Sequence, residues 1–257
     1  MKIGIIGCGY LGQKAARFWK QRGHFISAFT RCPEKILPLS QSVDRVFLDF
    51  SSFITNQELL LVSVAPDQQS DYRSTYLRTA ERLLQHIAGS SVTHILYTSS
   101  TSIYGDYSGE WVDEETEPRS ETKEGLILLE TEKVLLSLAS SLLPVAILRL
   151  GELHGPGRQI ADRLRRLQGV ALPGTGDSYV NLTDVDELTR GLEFARLHAL
   201  SGLFNFCSPF HPTRKELYNS ICQKEEIPPV VWDPSRISPH AGNKRVCCRK
   251  IEQLGFQ

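Results

Sequence analysis

Residues 2–23 read KIGIIGCGYLGQKAARFWKQRG. A short apolar run ends in Gly7-x-Gly9-x-x-Gly12, and a stretch with helical spacing follows, with Leu11, Ala15, Phe18 and Trp19 on one side and Lys14, Arg17 and Arg22 largely elsewhere. Three glycines at this spacing mean little alone, but between a strand and a helix they form a phosphate-binding turn. Gly7 permits the tight turn, Gly9 lets backbone approach a pyrophosphate, and Gly12 lets helix and strand pack closely. The amides of Tyr10 and Leu11 then open the helix, whose N-terminus favours an anion. The alternative is a glycine turn that only packs.

Working outward, apolar runs alternate with helical patterns as far as residue 150. Strands are expected at Lys2–Ile6, Phe25–Phe29, Arg45–Leu48, Leu59–Val64, His94–Tyr97 and Val145–Leu150, with helices at Leu11–Gln21, Tyr72–Ile87 and Leu126–Ala139. Several strands are apolar on both faces, as parallel strands covered by helices should be. The pattern predicts an α/β fold with a doubly wound parallel sheet. Beyond Arg149 the texture turns to loops and short elements, with a helix at Ile160–Leu167, another near Asp186–Leu197, a strand at Leu203–Cys207 and a helix at Lys215–Cys222. The division expected is a dinucleotide-binding core over 1–150 and a small C-terminal substrate lobe over 151–257, interleaved as one structural unit.

The chain has 257 residues, with 29 Lys plus Arg against 29 Asp plus Glu, so no overall field favours nucleic acid or an anionic membrane. No stretch approaches the roughly 18 apolar residues of a membrane span. Six cysteines lack CxxC or zinc-finger spacing and read as reduced thiols of a cytoplasmic protein, with no metal site expected.

Cofactor preference is read at the end of the second strand, where an acid would bind a ribose 2′-hydroxyl. No carboxylate precedes Glu34, and the strand ends AFTR, placing Arg31 where a 2′-phosphate would sit. NADP(H) is therefore expected over NAD(H), unless Arg31 is a plain surface residue. Further on, seven of the eight residues from Tyr97 to Tyr104 carry a hydroxyl. They are either strand-end hydrogen bonders or donors aimed at a substrate.

These motifs together resemble the short-chain dehydrogenase/reductase superfamily, in particular its extended, sugar-nucleotide epimerase/dehydratase branch with a Rossmann core. FLDFS (47–51) resembles the third-strand motif, with Asp49 near the adenine, and VSVAP (62–66) the cofactor-lining fourth strand, with Val64, Ala65 and Pro66 at its end. TSSTSIYG (98–105), LRLGELHGPG (148–157) and GNKRVCCRKIEQLGF (242–256) are similar to later family segments. The resemblance implies that Ser100 hydrogen-bonds the reacting carbonyl or alcohol. It also implies a Tyr-x-x-x-Lys pair on the following helix, whose lysine lowers the tyrosine pKa from about 10. That helix reads EGLILLETEKVLL (124–136), with Glu124 and Leu128 at the two positions, so the chain resembles the atypical members of the group.

Glu124 is then a candidate general base, or a solvated acid in the helix's first turn. Tyr104 is either another candidate acid or a packed residue with its hydroxyl satisfied, the second being expected; His154 is a structural loop residue or one of the substrate pocket, and the five carboxylates of EWVDEETEP (110–118) are a solvated loop. The resemblance implies a small-molecule substrate such as a sugar nucleotide, and a homodimer through the long helices, although Leu126–Leu138 could instead be core. The rival expectation is a catalytically silent dinucleotide-binding sensor or scaffold.

Overall fold

The computed structural model describes residues 1–66, 71–236 and 242–257. In chain order the strands are β1 (Lys2–Ile6), β2 (Phe25–Phe29), β3 (Arg45–Phe47), β4 (Leu59–Val62), β5 (His94–Ser100), β6 (Trp111–Val112), β7 (Val145–Leu150), β8 (Glu152–His154), β9 (Leu172–Pro173), β10 (Leu182–Asp184), β11 (Gly202–Phe206), β12 (Trp232–Asp233) and β13 (Arg245–Val246). The helices are α1 (Tyr10–Lys20), α2 (Ile36–Ser40), α3 (Phe50–Ile54), α4 (Arg78–His86), α5 (Lys123–Leu136), α6 (Ile160–Arg166), α7 (Val185–Leu197), α8 (Arg214–Lys224) and α9 (Arg249–Gln253).

Seven strands form one parallel sheet in the order β11-β7-β5-β4-β1-β2-β3. The order reverses between β1 and β4, which opens a crevice at the carboxyl ends of those strands. Alternate residues of each central strand enter separate cores, as period-two geometry requires. Ile3, Ile5, Leu61, Leu96 and Leu148 pack on one face with α1 and α7, while Ile6, Leu60, Ile95, Tyr97 and Ile147 pack on the other with α3 and α4. Burial on both faces explains why these strands read as unbroken apolar runs.

The doubly wound parallel sheet matches the expectation, and the long elements fall within a few residues of their expected positions. Two differences matter. First, β5 runs three residues beyond Tyr97, so Thr98, Ser99 and Ser100 belong to the strand and pair with Leu148, Arg149 and Leu150. Second, the strand assigned to the lobe is β11, which forms the sheet's edge against β7. The chain leaves the sheet after β7 into α6, crosses back through α7 to β11, and leaves again into α8, whose Tyr218 and Cys222 join Ile160 and Leu164 of α6 in a small apolar cluster. Residues 245–246 then return to β6, pairing Arg245 with Trp111 and Val246 with Val112.

Candidate active-site cleft

At the carboxyl ends of the strands lies a cleft of about 1660 Å³, lined by both the sheet and the small lobe. Its floor begins at the glycine turn. Gly7 has φ +88°, and a Cβ there would fall 2.3 Å from the Ser63 carbonyl oxygen. A Cβ on Gly12 would fall 2.6 Å from the Gly7 carbonyl oxygen. At Gly9 a Cβ would meet nothing within 4 Å. Two of the glycines are therefore required by packing, and the middle one faces open cleft beside Tyr10 and Leu11. Helix α1 starts with no side-chain cap and no acid in its first turn, leaving its first amides and dipole for an anion.

One end of the cleft carries Arg31, Lys35, Arg78 and Arg82. The Arg82 guanidinium lies over the rings of Phe50 (4.3 Å) and Phe29 (5.4 Å), which brings it beside the end of β2. Val64 and Ala65 line the wall next to the turn. Pro66 follows them in the chain and Asp49 lies after β3, and neither is among the lining residues. Asp49 instead caps α3, accepting from the Ser52 amide (2.8 Å) and hydroxyl (2.6 Å), and these bonds hold its carboxyl below the usual carboxylate range.

The hydroxyl run occupies the middle of the cleft. Ser100 is half-buried, and its Oγ accepts from the Ser102 amide at 3.1 Å, capping the turn Thr101–Tyr104. The hydroxyl thus serves the strand end through its lone pair, while its hydrogen meets no acceptor among the described residues. Tyr104 is fully buried away from the cleft; it donates to Asn205 Oδ1 (2.8 Å) and accepts from Arg149 (3.0 Å), as a packed tyrosine should. Arg149 also pairs with Glu132 on α5 at 2.8 Å, both side chains being buried. Of this run, Thr98, Ser99, Ser100, Thr101 and Ser102 line the cleft, while Tyr104 is a structural pin.

Glu124 is exposed in the first turn of α5 and is not among the residues lining the cleft. Leu128 is buried in the core. The spacing Tyr-x-x-x-Lys does occur once, at Tyr10 to Lys14 on α1. There the Tyr10 hydroxyl donates to the Pro156 carbonyl (3.1 Å) and Lys14 pairs with Asp186 (2.9 Å), so the two tie α1 to the lobe.

Several cleft residues carried no clear mark in the sequence. Arg163 bonds Glu152 and the Tyr218 hydroxyl (2.9 Å), and Arg214 bonds the same hydroxyl (3.0 Å). These two arginines, Arg158 and Arg166 make the lobe side of the cleft basic, with His154 among them. Lys244 reaches in from the C-terminal segment, 6% exposed, and donates to the Gly105 carbonyl oxygen at 2.9 Å. Burial pulls its pKa down to about 8. Nine Lys and Arg side chains line the cleft against Glu152 and Asp162, in a chain whose charges balance overall. Glu114 departs from the solvated loop expected of it: it accepts from the Asn205 amide on β11 (2.6 Å), and burial raises its pKa.

A parallel sheet with an open glycine turn at its point of reversal, below a cleft lined by cations, is the architecture of the Rossmann-like α/β proteins. A family model described as the NAD dependent epimerase/dehydratase family matches residues 3–205, and the chain belongs to that family. Protein YeeZ of Escherichia coli K12 is 27% identical over 272 residues, spanning 100% of this chain and 95% of that protein. The structure of MoeE5 in complex with UDP-glucuronic acid and NAD superposes with TM-score 0.85 at 21% identity, covering 100% of this chain and 93% of that one. UDP-glucuronic acid 4-epimerase of Bacillus cereus, in complex with UDP-glucuronic acid and NAD, gives TM-score 0.84 at 16% identity, covering 100% and 94%. Among the described residues no helix is long and apolar enough to cross a membrane.

Proposed function

We propose that this chain is an NADP(H)-dependent, epimerase/dehydratase-like oxidoreductase acting on a sugar nucleotide or a similar carbonyl or alcohol. The observation that carries the reading is the charge of the cleft, with four cations at the β2 end and five more under and beside the lobe. A dinucleotide would lay its pyrophosphate over Gly9 and the amides of α1. Its 2′-phosphate would meet Arg31, supported by Lys35, Arg78 and Arg82, with no carboxylate at the end of β2 to prefer a bare ribose. When bound, the nicotinamide supplies or accepts a hydride. Ser100 donates its unused hydrogen to the substrate oxygen, and Arg158, Arg166 and Arg214 hold the substrate's phosphates in bidentate or charge-assisted bonds. Leu84 on α4 and Leu126 on α5 stand exposed, which suits pairing of two copies along these helices and is checked by sedimentation.

Thermal shift with both cofactors tests the binding half. Saturating NADPH at a hundred times its dissociation constant stabilises a fold by roughly 2.7 kcal/mol, and each kcal/mol raises Tm by roughly 2–4 °C at this size. A larger shift for NADPH than for NADH at equal concentration is the expected result, and equal shifts would end the NADP(H) assignment. The second reading, a silent dinucleotide-binding sensor, is favoured by one observation: Glu124 stands outside the cleft and Leu128 is buried. NADPH oxidation across a panel of sugar nucleotides and quinone carbonyls separates the two readings.

A further inference from the structure

Residues 242–248 close one side of the cleft, and their backbone is fitted closely to the turn that follows the hydroxyl run. A Cβ on Gly242 would lie 2.3 Å from the Gly105 carbonyl oxygen. Asn243 receives the amides of Tyr107 (3.0 Å) and Gly109 (2.9 Å) on its carbonyl and gives its own amide to Asp106 (3.0 Å). From the lobe, Asn181 donates to the Lys244 carbonyl (3.0 Å), and Asn243 Oδ1 accepts the Tyr179 amide (2.9 Å). Lys244 is thereby fixed in place with its side chain in the same cleft as Ser100 and Ser102.

An ammonium group has three N–H donors. One goes to the Gly105 carbonyl, five residues after Ser100, and the other two meet no acceptor among the described residues. No carboxylate among the described residues lies within ion-pair distance of it. A buried charge without a counter-ion is costly, and the group responds by releasing its proton more easily. Asp106, on the turn after the hydroxyl run, acts in the opposite direction, but its carboxylate already accepts from the Ser108 (2.8 Å) and Asn243 amides. Arg245 faces elsewhere, donating to the Gly109 carbonyl and lying over Trp111 and Tyr179. A donor that can change charge near neutrality therefore stands in the cleft that Ser100 also lines, held at the turn that follows the hydroxyl run.

We propose that Lys244 is the catalytic proton-transfer residue of this cleft, exchanging the proton of the substrate oxygen that Ser100 polarises. This rests on the oxidoreductase reading above. In the oxidative direction the substrate O–H bond breaks and its proton passes to the neutral Nζ. The electron pair left on oxygen closes the carbonyl as the carbon's hydride leaves for the oxidised nicotinamide. In reduction the steps reverse: a hydride adds to the carbonyl carbon, and the Lys244 ammonium gives its proton to the oxygen. A general acid or base works best when its pKa lies close to the working pH, and such transfer contributes about 10²–10⁴-fold to rate. Glu124, in its exposed position outside the cleft lining, is not needed for the step.

Two measurements test this. In the first, the wild-type protein is labelled with trace acetic anhydride from pH 6 to 11, and each lysine's reactivity is read by peptide mass spectrometry. Lys244 is expected to titrate about two pH units below the surface lysines. Titration together with them overturns the proposal, whether or not any substrate has been found. In the second, NADPH oxidation is followed with UDP-glucose, UDP-glucuronic acid and 9,10-phenanthrenequinone as probes. Lys244→Met is expected to lose at least about 10²-fold in kcat and the pH-rate limb near 8, while keeping the wild-type thermal shift with NADPH. Retained turnover and retained limb in Lys244→Met overturn the role of Lys244 and leave the oxidoreductase reading standing. A wild type that binds NADPH but turns over none of the probes overturns both.

Discussion

The two ends of the cleft are built in opposite ways. The end with the glycine turn is built around one stretch, β1, turn and α1, in which Gly12 is fitted to the Gly7 carbonyl, Gly7 to the Ser63 carbonyl, and Gly9 faces open cleft. The hydroxyl end draws on β5, the lobe and residues 242–248, with its hydroxyls from the first and its charged groups from the other two. A contiguous site can be read from spacing, because local geometry fixes which backbone atoms face the ligand. An assembled site is fixed by tertiary pairings, here β6 with β13 and β11 with β7, which no local pattern announces.

The largest expected effect strikes the assembled end. Removing a transition-state hydrogen-bond donor typically lowers the rate by about 10²–10³-fold. Ser100→Ala should lose turnover by that factor on any active probe while NADPH affinity is unchanged. Turnover that survives would reduce the hydroxyl run to strand-end bonding and dissolve the contrast between the two ends.

Next comes a stability effect at the same end. The Lys244 pKa in the folded protein is lowered from 10.5 to about 8. A lysine shifted downward penalises the fold while it is protonated, so the penalty is complete below pH 8 and fades as pH rises from 8 to 10.5. At 1.36 kcal/mol per unit it amounts to about 3 kcal/mol at neutral pH. Lys244→Met should therefore melt higher than wild type at pH 7, by several degrees, with the gap closing towards pH 10.5. A variant that melts lower at pH 7 would mean that the bond to Gly105 outweighs the buried charge.

At the contiguous end, Gly9→Val should remove the NADPH-induced shift, worth roughly 2.7 kcal/mol at hundredfold excess, and leave the circular dichroism spectrum native. Gly7→Ala, by contrast, should lower the melting temperature of the ligand-free protein, since its φ of +88° and the Ser63 carbonyl leave no room. Strain of this kind costs about 1–3 kcal/mol. If Gly9→Val keeps its affinity, the turn is structural throughout. The smallest effect is expected for Arg31→Ala, about a tenfold loss for NADPH (about 1.4 kcal/mol) with NADH unaffected, because three neighbouring cations remain.

What could be read from the sequence follows the same division. The parallel sheet was legible because strands buried on both faces show as apolar runs, and the glycine turn because its positions are adjacent. The packing of Tyr104 was legible because a tyrosine within Ile-Tyr-Gly is more often a packed residue with its hydroxyl satisfied. The two late strands were harder. Residues 203–207 lie fifty residues beyond the visible core, and only pairing with β7 assigns them to the sheet. Lys244 stands in GNKRVCC with no partner nearby in sequence, and its burial depends on Gly105, 139 residues away. Arg163 was hidden likewise, since the Tyr218 hydroxyl that joins it to Arg214 lies on α8, 55 residues further along the chain. A loop–helix stretch with Arg158, Arg163 and Arg166 was the one signal available for the basic lobe.

The strap formed by residues 242–248 also sets a timetable. Loop closure over 139 positions is slow compared with forming β1, the turn and α1. During synthesis, at about 5–20 residues per second, the glycine turn is complete long before Lys244 has been added. Under the proposed roles, a nascent chain has made the residues that meet the dinucleotide well before the lysine that moves the proton. Proton transfer under those roles would begin only once residues 242–248 have docked against the turn at Gly105, and a chain halted before residue 244 would hold cofactor without spending it.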